Sequence, residues 1–519
     1  MRLLNKVGIV SAMTGVSRLF GLVREIVMAN FFGTSTLQSA FVIAFRIPNL
    51  FRRLFGEGAL GAAFIPVFVE IERVEGKARA QLFVARILGL MICVLGALVA
   101  IGIVLSFGVE RWCGPLSRWT EAMPLLRIML PYAVLICVAA ILSAILNVHD
   151  RFAISSLTPV LLNIVWILVL LAVCPFLPEE GYWRIGAVSV GILISGFVQV
   201  LFQLPELKRV GYLFRLKFSG WGSSRYVRQV LLQMGPASLG IALAQINICM
   251  DGWLAFYGAT WAPSALEYAD RIIYLPLGLF ATAFATVLLP TYSRQYAAGD
   301  LAEMRATMDR ALSHLMLIMI PTAVGLMVLA LPLVALIYQR GAFGADSTLW
   351  TARAVFAYAP GLLVFSVNKA VVPVFYAQKD LRTPVVIASC CILGNFALNV
   401  LSVLFLPEGW RHVGIAASTV FNSLLNSIIL IAVLHRRGCA PDVRRLVVGG
   451  AQALSAAALM GVAVYGAFSL LSAHLHLLLS VPLCIFVGVA VYLFAALLLA
   501  PAMTRDALAN LPLFRRRKH

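Results

Sequence analysis

The chain has 519 residues, of which 61% are hydrophobic and only 12% are charged, and its mean hydropathy is +0.94. Soluble domains are closer to half apolar and a quarter charged, so this composition excludes an ordinary water-soluble protein and indicates a membrane protein. The net charge of +19 would suit nucleic acid only if a polar domain carried a basic patch, and the sequence leaves no room for such a domain.

Apolar segments long enough to cross a bilayer recur along the whole chain. A spanning helix needs about 20 mostly apolar residues, and the longest polar stretch, about 206–228, is too short for a soluble domain. The sequence therefore predicts an all-α integral membrane protein with about fourteen transmembrane helices. They are predicted at residues 8–32, 38–68, 83–108, 124–147, 157–177, 185–205, 231–257, 266–293, 311–338, 350–377, 384–406, 413–435, 446–471 and 477–501.

Basic residues concentrate in alternate loops, which is the pattern of the positive-inside rule. If the N-terminus is cytoplasmic, the loops on its side carry most of the Lys and Arg residues, including six between Lys208 and Arg228. The opposite loops carry Arg111, Arg118, Arg184, Arg340 and Arg411. This asymmetry predicts that both termini are cytoplasmic and that the number of spans is even.

Short motifs recur at an offset of 225 residues. Phe31–Gly33 and Phe256–Gly258 each end an apolar segment, whereas Thr158-Pro159 and Thr383-Pro384 each open one. Each copy then holds six spans, and the two copies enter the membrane from the same side. The predicted organisation is an N-terminal six-helix lobe (1–222), a C-terminal six-helix lobe (223–438) and an additional two-helix pair with a basic tail (439–519). Paired repeats favour an alternating-access transporter, although duplication has also produced channels and passive scaffolds.

Five arginines lie within the first two predicted helices, where a charge is expensive unless it faces a wet cavity or a protein interior. They are Arg18, Arg24, Arg46, Arg52 and Arg53. Acidic residues near them are fewer, namely Glu25, Glu57, Asp251 and Asp270. Because guanidinium groups bind phosphate oxygens bidentately, the excess of positive charge indicates a phosphate-bearing ligand. For Arg52 and Arg53 the alternative is a structural or snorkelling role.

The second predicted helix contains Pro48 followed by three glycines, so we expect it to be kinked or unwound where it lines a cavity. In the second copy, Arg271 stands at the place of Arg46. Asp270 is its neighbour, and Glu267 lies four residues before it, which suits an ion pair on one helix face.

Enzyme motifs are missing from this sequence. The histidines show no metal-ligand spacing, and there is no P-loop, no G-x-S-x-G and no pair of inward carboxylates. We therefore predict a non-enzymatic protein that requires no cofactor.

Two N-terminal segments carry a resemblance to a known family. Residues 16–25 (VSRLFGLVRE) and 44–59 (AFRIPNLFRRLFGEGA) closely resemble the MurJ (MviN) family, the lipid II flippases of the multidrug/oligosaccharidyl-lipid/polysaccharide exporter superfamily. Tyr268–Arg271 and Lys379–Pro384 extend the resemblance into the second half. It covers essentially the whole chain, including the last two spans.

The resemblance implies a substrate and a place in the cell. The substrate is undecaprenyl-diphosphate carrying the peptidoglycan precursor, moved from the inner to the outer leaflet of the bacterial inner membrane. Other implied partners are membrane lipids and other cell-wall synthesis proteins, with no nucleic acid. In the family, the last two spans form a groove for the lipid tail.

Site residues follow from the resemblance and the charge pattern together. The family's cavity arginines correspond to Arg18, Arg24, Arg52 and Arg271, and we add Arg53 as a fifth substrate-binding residue. The residues expected to support them are Ser17, Glu25, Arg46, Glu57 and Asp270. Two positions depart from many relatives, which carry acidic residues where this chain has Ser39 and Tyr274.

Some family members bind a sodium ion between the seventh, eleventh and twelfth spans. Here the corresponding oxygen donors are Asp251, Asn395, Asn399 and Thr419. Ordinary hydrogen bonding between helices explains the same residues equally well.

Three other functions are compatible with parts of the sequence pattern. A flippase for a different polyprenyl-linked glycan has the same cavity chemistry, and only the family motif disfavours it. A multidrug antiporter of the same superfamily calls for an acidic cavity to bind organic cations. A membrane-embedded glycosyl- or phosphotransferase needs a catalytic carboxylate or histidine cluster, which the sequence does not supply.

Overall fold

The regular structure is helical throughout the part of the chain that our computed structural model describes, which is residues 2–56, 59–113, 119–222, 224–501 and 503–504. Nineteen α-helices occur there, with two π-helical turns and one short 3-10 turn. The α-helices are α1 (Arg2–Phe32), α2 (Thr36–Phe51), α3 (Ala59–Val74), α4 (Lys77–Cys113), α5 (Trp119–Met129), α6 (Tyr132–Val148), α7 (Phe152–Ala172), α8 (Trp183–Arg209), α9 (Arg225–Gly258), α10 (Ala262–Pro276), α11 (Thr282–Ala297), α12 (Leu301–Val328), α13 (Ala330–Tyr338), α14 (Ala345–Tyr358), α15 (Gly361–Ala377), α16 (Arg382–Phe405), α17 (Glu408–Arg436), α18 (Val443–Leu471) and α19 (Leu477–Leu499).

The predicted multi-pass helical membrane protein is confirmed. Each of the fourteen predicted spans coincides with one helix or with two consecutive helices. Among the described residues, ten helical segments are long and apolar enough to cross a bilayer, and eleven if α14 and α15, bent by 44°, form one span. Length and hydropathy thus support ten or eleven spans, and the remaining predicted spans correspond to α1, to α2 with α3, and to α9.

The internal repeat is visible in the helix boundaries. The first π-helical turn is Arg52–Gly56 and the second is Leu277–Ala281, so the two differ by 225 positions at both ends. The first residues of α8 and α17, Trp183 and Glu408, are also 225 positions apart. A π-helical turn is rare and local, so its recurrence at the same offset confirms the repeat found in the sequence.

The chain divides into two compact units, Met1–Ser264 and Ala265–His519. The division falls inside α10, whereas the sequence places the lobe boundary after residue 222. The division into 1–222, 223–438 and 439–519 stays a prediction, and the basic tail from residue 505 lies outside the described residues.

Aromatic packing dominates the core of the first unit. The rings of Phe64 and Phe68 stack with centroids 5.4 Å apart, and Phe83 stacks on Phe64 at 5.6 Å. These rings join α3 to α4, and all three side chains are buried. Large apolar rings stabilise such a core through their area and their ring geometry.

Small residues bring α18 and α19 together in the second unit. A methyl group at Gly488 would lie only 2.8 Å from Val464, so the glycine permits close helix contact. Gly461 of α18 similarly faces Val324 of α12. Tyr492 of α19 donates a hydrogen bond to the carbonyl of Leu317 at 2.8 Å. The last two helices are therefore docked on α12 within this unit.

Candidate functional site

Arg24 lies buried in the first unit between α1 and α7. Its guanidinium pairs with the carboxylate of Glu25 and donates from Nη1 to Oδ1 of Asn163 at 3.0 Å. The Cζ atom lies 4.2 Å from the ring centroid of Trp166. The structure therefore holds this charge in place with a carboxylate, an amide and an aromatic face.

Asn163 and Trp166 connect α7 to α1 from both sides of Arg24. Asn163 Nδ2 donates to the Ser17 carbonyl at 3.3 Å, while Trp166 Nε1 donates to the Met28 sulfur at 3.2 Å. Neither residue is among those predicted from the sequence. The available signal was an asparagine within an apolar segment, because a lone amide in a spanning helix needs a partner.

The Trp166 ring is fixed from its other side by α2. Phe41 and Phe45 meet it edge-on, with centroids at 5.3 and 5.4 Å. Trp166 itself is almost fully buried. The position of Arg24 is thus set by packing as well as by hydrogen bonds.

Arg18 differs from Arg24 in its surroundings. Its side chain is exposed, and within the described residues it has no hydrogen-bond or ion-pair partner. Ser17 beside it is half-buried. Arg18 can therefore meet a ligand without giving up an existing contact there.

The side chain of Arg46 of α2 contacts α9. Its Nη1 donates to the Ile248 carbonyl at 2.8 Å, and its guanidinium occupies the space that a side chain at residue 252 would take. Gly252 therefore leaves room for this guanidinium beside α9. The role of Arg46 as a supporting residue of the site stays a prediction.

Arg52 and Arg53 begin the first π-helical turn, four residues after Pro48. The Nε of Arg52 donates to Oδ1 of Asn49 at 2.8 Å, and Nη1 of Arg53 donates to Oε1 of Gln245 at 3.2 Å. The expected interruption of this helix is present, since a proline removes one backbone donor and π-helical turns often occur at functional sites. Glu57, which follows, lies outside the described residues.

Arg271 lies in the second unit, on α10. Its Nη2 pairs with Oε1 of Glu267 at 2.7 Å, as the four-residue spacing predicted, and 44% of its side-chain surface is exposed. Asp270 beside it is half-buried. The second π-helical turn follows one residue after Pro276, the end of α10, so this arginine precedes an interrupted helix just as Arg46 does.

The predicted sodium ligands divide between the units. Asp251 belongs to the first unit, where its Oδ2 accepts from Nδ2 of Asn247 at 3.4 Å. Asn395 and Asn399 are buried on α16, and Oδ1 of Asn399 accepts from the Ser418 hydroxyl of α17. Thr419 donates to the Ile415 carbonyl at 3.0 Å. Carboxylate, amide and hydroxyl oxygens suit a hard cation, and the site stays a prediction.

Comparison with known proteins identifies the family. The family model described as lipid II flippase MurJ matches residues 28–486. A probable lipid II flippase MurJ from Vibrio cholerae is 36% identical over 451 residues, covering 84% of both chains. The chain belongs to the MurJ family. The lipid II flippase MurJ of Burkholderia cenocepacia is 33% identical over 436 residues and 83% of each chain.

Solved structures support the MurJ fold. A lipid II flippase MurJ in an inward closed conformation superposes with a TM-score of 0.77, at 24% identity, over 96% of this chain and 99% of that chain. An inward-facing multidrug resistance MATE transporter of the MOP superfamily superposes at 0.67, with 16% identity, over 81% and 94% of the two chains. MurJ proteins are transporters of the bacterial inner membrane, not enzymes, and this chain is accordingly a multi-pass membrane protein.

Proposed function

We propose that this chain moves lipid II, the undecaprenyl-diphosphate-linked peptidoglycan precursor, from the inner to the outer leaflet. The observation that carries this proposal is the MurJ family match over residues 28–486. The relative from Vibrio cholerae is a probable lipid II flippase, and that from Burkholderia cenocepacia is a lipid II flippase.

The arginines carry the positively charged hydrogen-bond donors that bind a diphosphate. We propose that Arg18, Arg24, Arg52, Arg53 and Arg271 bind it, since planar guanidinium forks match phosphate oxygens. Arg18 and Arg271 have exposed side chains, so they meet the ligand first. Arg24 already pairs with Glu25, and we expect the diphosphate to compete with that carboxylate for the guanidinium.

Competition at Arg24 would couple binding to a change of structure. Two negative charges arriving near the buried pair would repel Glu25 and attract Arg24. Any movement of α1 against α7 would then have to break or shift the hydrogen bond of Arg24 to Asn163 and its contact with Trp166. Alternating access between the two six-helix lobes follows from the repeat by analogy with other paired-repeat transporters.

The membrane potential assists export of an anionic headgroup. If two uncompensated negative charges move outward across about 100 mV, the potential contributes roughly 4–5 kcal/mol. A sodium gradient would add to this if Asp251, Asn395, Asn399 and Thr419 bind the ion.

We further propose that both termini are cytoplasmic. The loops on that side then hold most of the basic residues, as the positive-inside rule expects. Membrane lipids and other proteins of cell-wall synthesis complete the proposed set of partners, and the groove of the pair at 439–519 is proposed to hold the lipid tail.

Depletion of the protein tests the proposal directly. In depleted cells, a lipid II-cleaving enzyme confined to the periplasm should find no substrate while total precursor stays intact. Restoring the wild-type chain should restore cleavage. Unchanged cleavage in cells that lack a second flippase would contradict the lipid II activity and favour another polyprenyl-linked glycan. Drug efflux without lipid II exposure would instead favour the multidrug antiporter.

A further inference from the structure

The connection between α8 and α9 is an extended segment, Gly211–Gly222, that lies along α4. The backbone N–H of Lys217 donates to the Ala85 carbonyl at 2.9 Å, and that of Leu213 donates to Oε1 of Gln81 at 3.0 Å. Backbone hydrogen bonds therefore hold this α8–α9 segment against α4. The side chains of Leu213 and Lys217 take no part in these two hydrogen bonds.

Close approach of this segment to α4 depends on Gly89. A side chain there would collide with the backbone of Lys217. The indole of Trp221 adds a hydrogen bond to the Lys217 carbonyl at 3.0 Å. The segment thus has a defined conformation although it contains no helix or strand.

Exposed apolar and basic side chains alternate along the segment. Phe214, Leu216 and Phe218 are 36%, 39% and 53% exposed, and Arg215 and Lys217 between them are also exposed. The segment lies between Arg209, which ends α8, and Arg225, which begins α9. Aromatic and aliphatic groups alternating with cations beside the ends of spanning helices are typical of a segment at the membrane interface.

A cleft of about 550 Å³ adjoins the segment at the first turns of α9. Arg225, Arg228, Gln229 and Leu232 line it and share one helix face, because residues three and four apart are neighbours on a helix. Along this face the two arginines come first, and Leu232 follows about one turn after Arg228, with the amides of Gln229 and Gln233 on either side of it. That order matches a phospholipid, in which the phosphate precedes the acyl chain.

The cleft has a net positive charge, because, among the described residues, only one of its two arginines is paired with a carboxylate. Arg225 pairs with Glu75 at 3.2 Å, and a hydrogen bond from Tyr226 lowers the pKa of Glu75, which keeps that carboxylate ionised. Arg228 is exposed and has no ion-pair or hydrogen-bond partner for its side chain in the described part of the chain. Its guanidinium is the group most available to an anion.

We propose that this surface binds the headgroup of an anionic phospholipid in the cytoplasmic leaflet. Arg228, with Arg225 and Gln229, holds the phosphate; Leu232 contacts the acyl chain; and the apolar side chains of the α8–α9 segment enter the interface. The assignment to the cytoplasmic leaflet rests on the proposed orientation of the chain. Headgroup binding itself depends on neither that orientation nor transport.

Native mass spectrometry of the full chain, released from detergent, tests the proposal. Phosphatidylglycerol should bind at least about tenfold more tightly than phosphatidylcholine, and the preference should disappear in R225Q/R228Q. R228Q alone should lose several-fold, and since its guanidinium has no partner there, folding should be unaffected. The matched control R436Q/R444Q removes two exposed arginines of the second unit and should keep the preference.

Three results would overturn the proposal. The first is an unchanged preference in R225Q/R228Q that elutes as a monodisperse protein. The second is an equal loss in R436Q/R444Q, which would show a general charge effect. The third is inorganic phosphate binding as tightly as phosphatidylglycerol, which would identify the ligand as a free anion. Lipid II exposure is measured separately in cells, so failure here leaves the transport proposal intact.

Discussion

The hydroxyls of Ser39 and Ser264 lie 2.9 Å apart in a fully buried contact. The two serines are 225 residues apart, the same offset that separates the two π-helical turns. Ser39 is the fourth residue of α2 and Ser264 the third residue of α10, so equivalent positions of the two copies touch each other. Both groups are hydroxyls, so this contact carries no formal charge.

Cysteines at these two positions should form a disulfide under mild oxidation. The hydroxyl separation places the two side chains within reach of a bond that needs Cβ atoms about 4 Å apart. If transport requires α2 and α10 to separate at this point, oxidised S39C/S264C should lose lipid II exposure and recover it after reduction. The single variants S39C and S264C are the controls. Quantitative cross-linking with full transport would show that the contact stays closed throughout the cycle.

Arg24→Ala should lower stability and abolish transport together. The change breaks the buried pair of Arg24 with Glu25, and breaking a buried ion pair typically destabilises by about 3–5 kcal/mol. The unfolding midpoint in detergent measures the first effect and periplasmic cleavage of lipid II the second. R24A/E25Q also removes the negative charge of the pair and should recover part of the stability without recovering transport. Transport by R24A/E25Q at normal protein levels would exclude Arg24 from substrate binding.

Arg271→Ala should abolish transport with little change in stability. Its pair with Glu267 is partly exposed, and such pairs contribute about 1 kcal/mol or less. The same two measurements as for Arg24 apply, and Glu267→Gln serves as the control that breaks the pair while keeping the guanidinium. A stable R271A protein with normal lipid II exposure would contradict the proposed role of this arginine.

Gly252→Ala should destabilise the first unit because the new methyl group meets the Arg46 guanidinium. The guanidinium is the flexible end of its side chain and can move aside, so the expected cost is that of its hydrogen bond to the Ile248 carbonyl, about 1.5–3 kcal/mol. In an Arg46→Ala background the same change should cost much less, and a double-mutant cycle on unfolding midpoints measures this coupling. Gly186→Ala, on α8, is the matched control, since open space surrounds that position. Equal effects of G252A in both backgrounds would disprove the steric explanation.

Asp380, between α15 and α16, should make stability depend on acid pH. Burial alone would raise its pKa, but hydrogen bonds from Thr383 and Arg437 outweigh burial and lower the pKa to about 2. Because the folded pKa is depressed from its usual 3.8, this carboxylate stabilises the fold above about pH 4. That contribution is lost as the pH falls from about 4 to 2.

Unfolding midpoints of the detergent-solubilised protein measured across this window test the prediction. Asp380→Asn should remove part of the decline between pH 4 and 2. Arg437→Gln should make the decline smaller, because it deletes a donor that lowers the pKa of the folded carboxyl and so brings that pKa closer to its unfolded value. An identical pH profile for wild type and D380N would show that other groups control the acid sensitivity.

The sequence by itself determined the helical class, the positions of the spans and the repeat at 225 residues. These features depend on the length and hydropathy of contiguous segments, which are local properties of a chain. It also identified the arginines of α1 and α2, the pair of Arg271 with Glu267 and the interruption after Pro48. Each of these rests on residue type and on spacing along one helix.

Only the tertiary structure decided what each arginine touches. Arg24 meets Asn163 and Trp166 from a helix some 139 residues away in sequence, whereas Arg18, six residues before it, stays exposed. Arg46 fits the space beside Gly252, and the α8–α9 segment lies on α4 through backbone hydrogen bonds. These contacts depend on how the helices pack in space. Neither the hydrophobic periodicity nor a motif within one segment specifies them.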